Sequence, residues 1–359
     1  SECAVLAKEA GYDGIEIMGS EGYLINQFLV TATNKRTDTY GGNFENRMRF
    51  ALEIIQSIRE KVGKDFAIIF RLSMLDLVNE GSSWSEIEML AKSLENHGVD
   101  AINTGIGWHE ARIPTIATLV PRGGFAFVTQ KLMGSVQIPL ITTNRFNTIE
   151  ACEEALASGC ADMVSMARPF LADPEIVNKS KVNSNAVNTC IGCNQACLDH
   201  IFKNKIATCL VNPRASHEDK WPRQAKANVI KRVAVVGSGP AGLSATIEAA
   251  RLGHTVTLFE SNSEIGGQFN LAKSIPGKDE FNETLRYFDF KLKQFGVKVK
   301  LNTRAEIASL TDYDQIILAT GVKPRKWTIP GSDSKEVVSY IDVLKGNVAV
   351  GKRVAIIGA

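Results

Sequence analysis

The segment that most restricts the fold is KRVAVVGSGPAGLSATIEAARLGHTVTLFES, residues 231–261. A valine-rich run (232–236) enters Gly237-Ser238-Gly239-Pro240-Ala241-Gly242, an amphipathic helical stretch follows, and a second apolar run (255–259) ends at Glu260. A bare G-x-G-x-x-G is common. Placed between a strand and a helix, with an acidic residue closing the next strand eighteen positions after Gly242, it predicts a parallel βαβ unit that binds a dinucleotide. The glycines permit a tight turn and close backbone approach, and the helix N-terminus faces the pyrophosphate. Glu260 stands where it would accept hydrogen bonds from a ribose.

The first half of the chain also alternates strand and helix. Short apolar strands are expected at 14–18, 67–71, 101–104, 139–142 and 163–166, with helical stretches at 46–62, 85–97, 128–133 and 149–158. Five parallel strands with crossover helices suit a doubly wound sheet or part of a (β/α)8 barrel. The strand ends favour the barrel. They lead to Tyr23, Arg71, His109, Asn144 with Arg145, and Arg168, and barrel enzymes carry their working groups at the C-terminal ends of strands, with a phosphate site after the last two. Numbered on that basis, these are strands four to eight. A lone tyrosine or histidine in such a place is ordinarily core or rim; sharing one barrel mouth makes Tyr23 and His109 candidates for acid–base work, since a phenol stays protonated at neutral pH and can donate a proton.

Between the halves the rhythm breaks. Cys190, Cys193, Cys197 and Cys209 read C-x2-C-x3-C-x11-C, four of the seven cysteines of the chain within twenty residues. Three thiolates within eight residues suit a [4Fe–4S] cubane; zinc, which prefers separated ligand pairs, and uncomplexed thiols are the alternatives. Cys3, Cys152 and Cys160 fall in helical stretches and are expected to be packing residues. Clustered cysteines without a signal peptide indicate a reducing, cytoplasmic setting. A net charge of +2 in 359 residues, with no basic arm and no long apolar run, argues against a nucleic-acid partner and a membrane span. Polar linkers are expected at 183–188 and 214–228. The opening reads as a helix under way, and the closing RVAIIGA (353–359) resembles a second RVAVVGSG, so an internal fragment, truncated at both ends, is expected.

Barrel ends, cysteine loop and fingerprint in this order resemble the old yellow enzyme-like NADH:flavin oxidoreductases that carry FMN, an iron–sulfur cluster and FAD. NKRTDTYGGNFENRMRF (34–50) is similar to the barrel signature, and CIGCNQAC (190–197) to the cluster motif. GIGWHEARIPTIATLVPRGGF (105–125) and TTNRFN (142–147) resemble the 2,4-dienoyl-CoA reductase branch. EIGGQF (264–269) and QIILATGVKPR (315–325) resemble an FAD domain rather than a first NAD domain.

The resemblance implies an α/β chain holding the C-terminal part of a TIM barrel for FMN and substrate (1–182), an iron–sulfur segment (183–229), a Rossmann-like FAD domain (230–350) and the start of an NAD(P)H domain (351–359). It implies Tyr23 as proton donor with His109 assisting, and Arg71 beside the flavin ring. Arg145, Ala167 and Arg168 would hold the FMN phosphate, and Gln195 would reach FMN from the cysteine loop. The four cysteines would ligate the cluster, and Gly237, Gly239, Ala241, Gly242, Glu260 and Gln268 would serve FAD. Electrons from NADPH would pass through FAD, [4Fe–4S] and FMN to an acyl-CoA thioester, a small-molecule partner. The competing expectations are an enoate reductase or a trimethylamine dehydrogenase-like enzyme with the same cofactors, and, from another class, a non-catalytic electron-transfer module.

Overall fold

The computed structural model describes all residues except 223, 326, 327 and 359. The chain forms two compact units, Ser1–Pro174 with Gly192–Asn194, and Glu175–Ile191 with Gln195–Ala359.

In the first unit, β1 (Gly14–Gly19), β2 (Ala67–Leu75), β3 (Ala101–Ile106), β4 (Leu140–Thr142) and β5 (Met163–Val164) form one parallel sheet in sequential order. A doubly wound sheet reverses direction at a switch point; an unreversed order is the wall of a (β/α) barrel. The strands lie where the apolar runs placed them, with β2 and β3 extending further toward their C-terminal ends. The main core lies between sheet and helices. Helix Phe44–Val62 starts where the Asn43 side chain accepts from the Asn46 amide at 3.0 Å, and it buries Ala51, Ile55, Ile58 and Val62, the i, i+4, i+7, i+11 stripe of one helix face. Helix Trp84–Asn96 begins with a reciprocal capping box between Ser83 and Glu86 and buries Ile87, Leu90, Ala91 and Leu94 against Ile68, Phe70 and Leu72 of β2. His97 caps it, followed by Gly98 in the left-handed region, where glycine carries no steric cost. Cys152 is buried, and desolvation pushes its thiol up to about 11. Cys3 is exposed, and Cys160 lies beyond the end of helix Ile149–Ala157, so neither is the buried helical packing residue expected.

In the second unit, β6 (Arg232–Val236), β7 (Thr255–Phe259), β8 (Lys298–Lys300) and β9 (Gln315–Leu318) form a parallel sheet in the order β8-β7-β6-β9. The order reverses between β6 and β9, a switch point at which doubly wound folds bind their ligands, and the glycine turn leaves β6 there. The short, lysine-flanked β8 gives no sequence signal. Residues 183–188, read as a linker, contain a turn of 3₁₀ helix, Ser184–Ala186. They are tied to helix Phe281–Gln294 by Arg286, which donates to the carbonyls of Asn185 and Val187 at 2.8 Å each and to Thr189 Oγ1 at 3.2 Å. Residues 353–358 are exposed and form no strand among the described residues. No helix among the described residues is long and apolar enough to cross a membrane.

Candidate functional site

Tyr23 follows β1 and His109 follows β3. Their side chains meet, Tyr23 Oη to His109 Nε2 at 2.9 Å, with the rings edge-to-face and their centroids 5.2 Å apart. Both are exposed, so a molecule at the mouth reaches the pair. Arg71, on β2 between them, gives Nε and Nη2 to Glu21 Oε1 at 3.1 and 2.8 Å, in a pair with both side chains mostly buried. Glu21 itself has a left-handed backbone (φ 53°) and bonds Ser20. Sequence reasoning missed Glu21; the signal available was a carboxylate two residues before the candidate acid.

The strand-end arginines converge on one loop. Arg145, buried, donates Nε to Val120 O at 2.9 Å. Arg168 donates Nη1 to Ile116 O at 2.9 Å and to Asn194 Oδ1 at 2.6 Å. Asn144 and Arg145 both have positive φ, 75° and 60°, a conformation non-glycine residues adopt at a cost of about 1–2 kcal/mol each. Ala167, exposed, caps the short helix Arg168–Ala172. Guanidinium groups on neighbouring strand ends are donor chemistry that fits a phosphate.

The cysteine loop is braced by hydrogen bonds. Asn188 Nδ2 donates to Val211 O at 2.7 Å, joining the chain two residues before Cys190 to the chain two residues after Cys209. The Thr208 amide donates to Ala196 O at 2.7 Å, joining the immediate neighbours of Cys209 and Cys197. His200 Nδ1 meets Ile206 O at 3.0 Å inside the same loop, a structural post. Gly192 and Asn194, on either side of Cys193, are both left-handed, with φ 63° and 60°. Thr118 Oγ1 donates to Gly192 O at 2.9 Å. Gln195 is exposed in the turn before Cys197. All four loop cysteines are partly buried. Among the described residues, no three or more His, Cys, Asp or Glu side chains are drawn together as a metal-holding group. Four thiols on a braced loop are nevertheless the donor set that suits a soft metal centre or an iron–sulfur cluster.

At the fingerprint, Gly237 has φ 101°, and a Cβ there would lie 2.3 Å from Ala319 O. A Cβ on Gly242 would lie 1.9 Å from Gly237 O, whereas one on Gly239 would meet nothing within 4 Å. The first and third glycines are therefore required by the fold, and the second leaves open space ahead of helix Pro240–Arg251, a cradle that fits a pyrophosphate. Ala241 is exposed in the first turn. The glycine pair of 264–269 closes over this turn: Gly266 N donates to Ser238 O at 2.9 Å, and a Cβ on Gly267 would lie 3.2 Å from Gly239 Cα. Gln268 donates Nε2 to Val322 O.

Glu260 is buried, and both its oxygens are engaged. Oε2 accepts from Ser238 N and Oγ at 2.9 and 2.6 Å; Oε1 accepts from Asn262 N and Nδ2 at 2.8 and 2.6 Å and from Ser261 Oγ at 3.3 Å. Burial alone would raise its pKa, but these bonds outweigh it and hold the carboxyl below its ordinary range. Glu260 thus fastens the fingerprint turn to the end of β7, a task its spacing does not reveal.

A parallel barrel wall carrying the Tyr23–His109 contact at its strand ends, followed by a doubly wound dinucleotide fold, defines a two-domain flavoenzyme architecture. The NADH:flavin oxidoreductase / NADH oxidase family model matches residues 1–186, and the pyridine nucleotide-disulphide oxidoreductase model matches residues 231–359. The chain belongs to the NADH:flavin oxidoreductase / NADH oxidase family, the old yellow enzyme-like flavin oxidoreductases. It is 38% identical to a metal reductase of Desulforamulus reducens, over 100% of this chain and 54% of the relative. It is 35% identical to a cinnamate reductase of Clostridium sporogenes, over 99% of this chain and 56% of the relative. A solved complex of 2-naphthoyl-CoA reductase with 2-naphthoyl-CoA superimposes with a TM-score of 0.93 at 35% identity, over 97% of this chain and 54% of that one. The chain spans about half the length of the curated relatives it matches.

Proposed function

We propose that the protein reduces a C=C bond conjugated to a thioester carbonyl, with a 2,4-dienoyl-CoA as substrate and NADPH as reductant. One hydride and one proton add across the conjugated system, and NADPH leaves as NADP⁺. The observation that carries this reading is the 2.9 Å Tyr23–His109 pair at the barrel mouth. The similarity to 2-naphthoyl-CoA reductase supports an acyl-CoA as the substrate class.

When bound, FAD, a [4Fe–4S] cluster and FMN supply the redox chemistry, converting a two-electron donor into single-electron traffic and back into hydride. Gly237, Gly239, Ala241, Gly242, Glu260 and Gln268 would hold FAD; Arg71, Arg145, Ala167, Arg168 and Gln195 would hold FMN; Cys190, Cys193, Cys197 and Cys209 would hold the cluster. The chain itself moves the proton. With Nε2 protonated, His109 donates to the phenol oxygen and leaves the Tyr23 O–H free to point at substrate. That O–H delivers its proton to the α-carbon, and the same imidazole N–H then stabilises the phenolate. Arg71 places a cation at the mouth, held in orientation by Glu21.

A second reading, an enoate reductase acting on free acids, is favoured by the likeness to the cinnamate reductase. The test is anaerobic turnover of 2,4-hexadienoyl-CoA and of cinnamate by the full-length protein and by Tyr23→Phe. Thioester turnover that drops with Tyr23→Phe supports the dienoyl-CoA reading. Turnover of cinnamate alone replaces it with the second, and undiminished Tyr23→Phe activity removes Tyr23 as donor.

A further inference from the structure

Tyr23 and His109 lie on different strand-end loops, yet the residues that precede them hang on one side chain. Asp76 follows β2 directly and is buried, at 4% exposure. Its Oδ1 accepts from Ser73 Oγ at 2.6 Å, from Trp108 Nε1 at 2.8 Å and from Asn26 Nδ2 at 3.4 Å; its Oδ2 accepts from the Ser82 amide at 2.7 Å. Its backbone carbonyl accepts from the Trp108 amide at 2.9 Å. Two bonds from Asp76, one by side chain and one by main chain, therefore fix Trp108, the residue before His109.

The other arm runs through Asn26, which is fully buried. While its Nδ2 reaches Asp76, its Oδ1 accepts from the amide of Gly22 at 2.9 Å, the residue before Tyr23. Gly22 has φ 82°, and a Cβ there would lie 2.9 Å from Trp108 Cε3, so the Gly22 backbone rests on the indole face. The two residues that set the directions of Tyr23 and His109 are thus in contact with each other and share one buried carboxylate.

We propose that Asp76 is a positioning residue for proton delivery: it sets the 2.9 Å Tyr23–His109 contact by holding Trp108 directly and Gly22 through Asn26. This rests on the assignment of Tyr23 as proton donor. A carboxylate suits the post because it is acceptor-only and offers about four lone-pair sites, and four donors converge on it. Asparagine in its place turns one oxygen into an N–H donor aimed at another donor, Ser82 N or Trp108 Nε1. The loops would relax without loss of volume.

The experiment uses the full-length holoprotein with 2,4-hexadienoyl-CoA and compares Asp76→Asn, Tyr23→Phe and the double variant, with the thermal midpoint and flavin content recorded for each. Asp76→Asn is expected to lower kcat about tenfold to a hundredfold, the scale on which sub-ångström to ångström misplacement of a catalytic group acts, with KM within about twofold of wild type. The double variant is expected to be no slower than Tyr23→Phe alone, because both act on one proton transfer. Trp108→Phe keeps a ring against Gly22 and removes one donor, and is expected to lose kcat to a smaller degree, again without adding to Tyr23→Phe. It carries the test if Asp76→Asn does not fold. If Tyr23→Phe slows turnover but the Asp76 and Trp108 losses multiply with it, or are absent, the positioning role is wrong while the proton-donor reading stands. If Tyr23→Phe itself changes nothing, both fall.

Discussion

Alanine at Gly239 and at Gly242 makes the same change, one α-hydrogen replaced by a methyl, and is expected to do opposite things. At Gly242 the new methyl lies 1.9 Å from Gly237 O and 3.3 Å from Ala319 Cβ. An ordinary carbon–oxygen contact needs about 3.2 Å, so helix Pro240–Arg251 must retreat from the turn by about 1 Å, on the usual van der Waals separations. The obstacle is main-chain oxygen and cannot rotate away. Overpacking of this kind costs roughly 1–3 kcal/mol, which lowers Tm by about 2–12 °C at the 2–4 °C per kcal/mol expected of a domain this large. At Gly239 the methyl meets nothing within 4 Å, so the fold should keep its Tm within about 2 °C. The methyl would then stand in the open space ahead of the helix, where a pyrophosphate would lie. Gly239→Ala is therefore expected to purify folded and depleted of FAD, and Gly242→Ala to purify destabilised whether or not FAD is supplied. Differential scanning fluorimetry of the protein with and without added FAD, with released flavin identified by chromatography, reads both arms. Stoichiometric FAD in Gly239→Ala would show that the open space at the turn is not the dinucleotide cradle.

Glu260 gives the second unit an acid-sensitive fastening. Its folded pKa is depressed, first against and then despite burial, by bonds from Ser238 and Asn262. The stabilisation is therefore fully present above the unfolded value, about 4.3, and is lost as pH falls through the lower folded value. Urea midpoints should decline over that acid range in wild type and decline less in Glu260→Gln; parallel slopes would contradict the assignment. Arg286→Met removes the guanidinium that grips Asn185, Val187 and Thr189 and is expected to lose about 1–3 kcal/mol. Trypsin should then cut faster after Lys181, beside the released segment, and an unchanged rate of cleavage there would show that the clamp is dispensable. Alanine at Cys197 or Cys209 should abolish iron and acid-labile sulfide in the anaerobically purified full-length protein, whereas alanine at Cys160 should leave both at wild-type content.

Local pattern carried the alternation of strands and helices and the strand–glycine–helix–strand order of residues 231–261, because each is written in the period of neighbouring residues; the Asn43 and Ser83 caps, which start two helices one or two residues earlier than that period placed them, came from the structure. Strand period alone left a barrel and a doubly wound sheet both open for the first half, and the polar groups at the strand ends favoured the barrel; the sequential β1 to β5 pairing, a relation between segments tens of residues apart, agrees with it. The same limit hid β8, whose three residues are held by pairing with β7 rather than by their own propensity. Residue types at strand ends pointed to Tyr23 and His109 as candidates. That they touch, that Glu21 holds Arg71, and that Asp76 and Glu260 are filled with donors were decided by tertiary structure alone. A hydrogen bond depends on distance and direction in space, and Asn26, Asp76 and Trp108 are separated along the chain by dozens of residues that the sequence pattern cannot fold away.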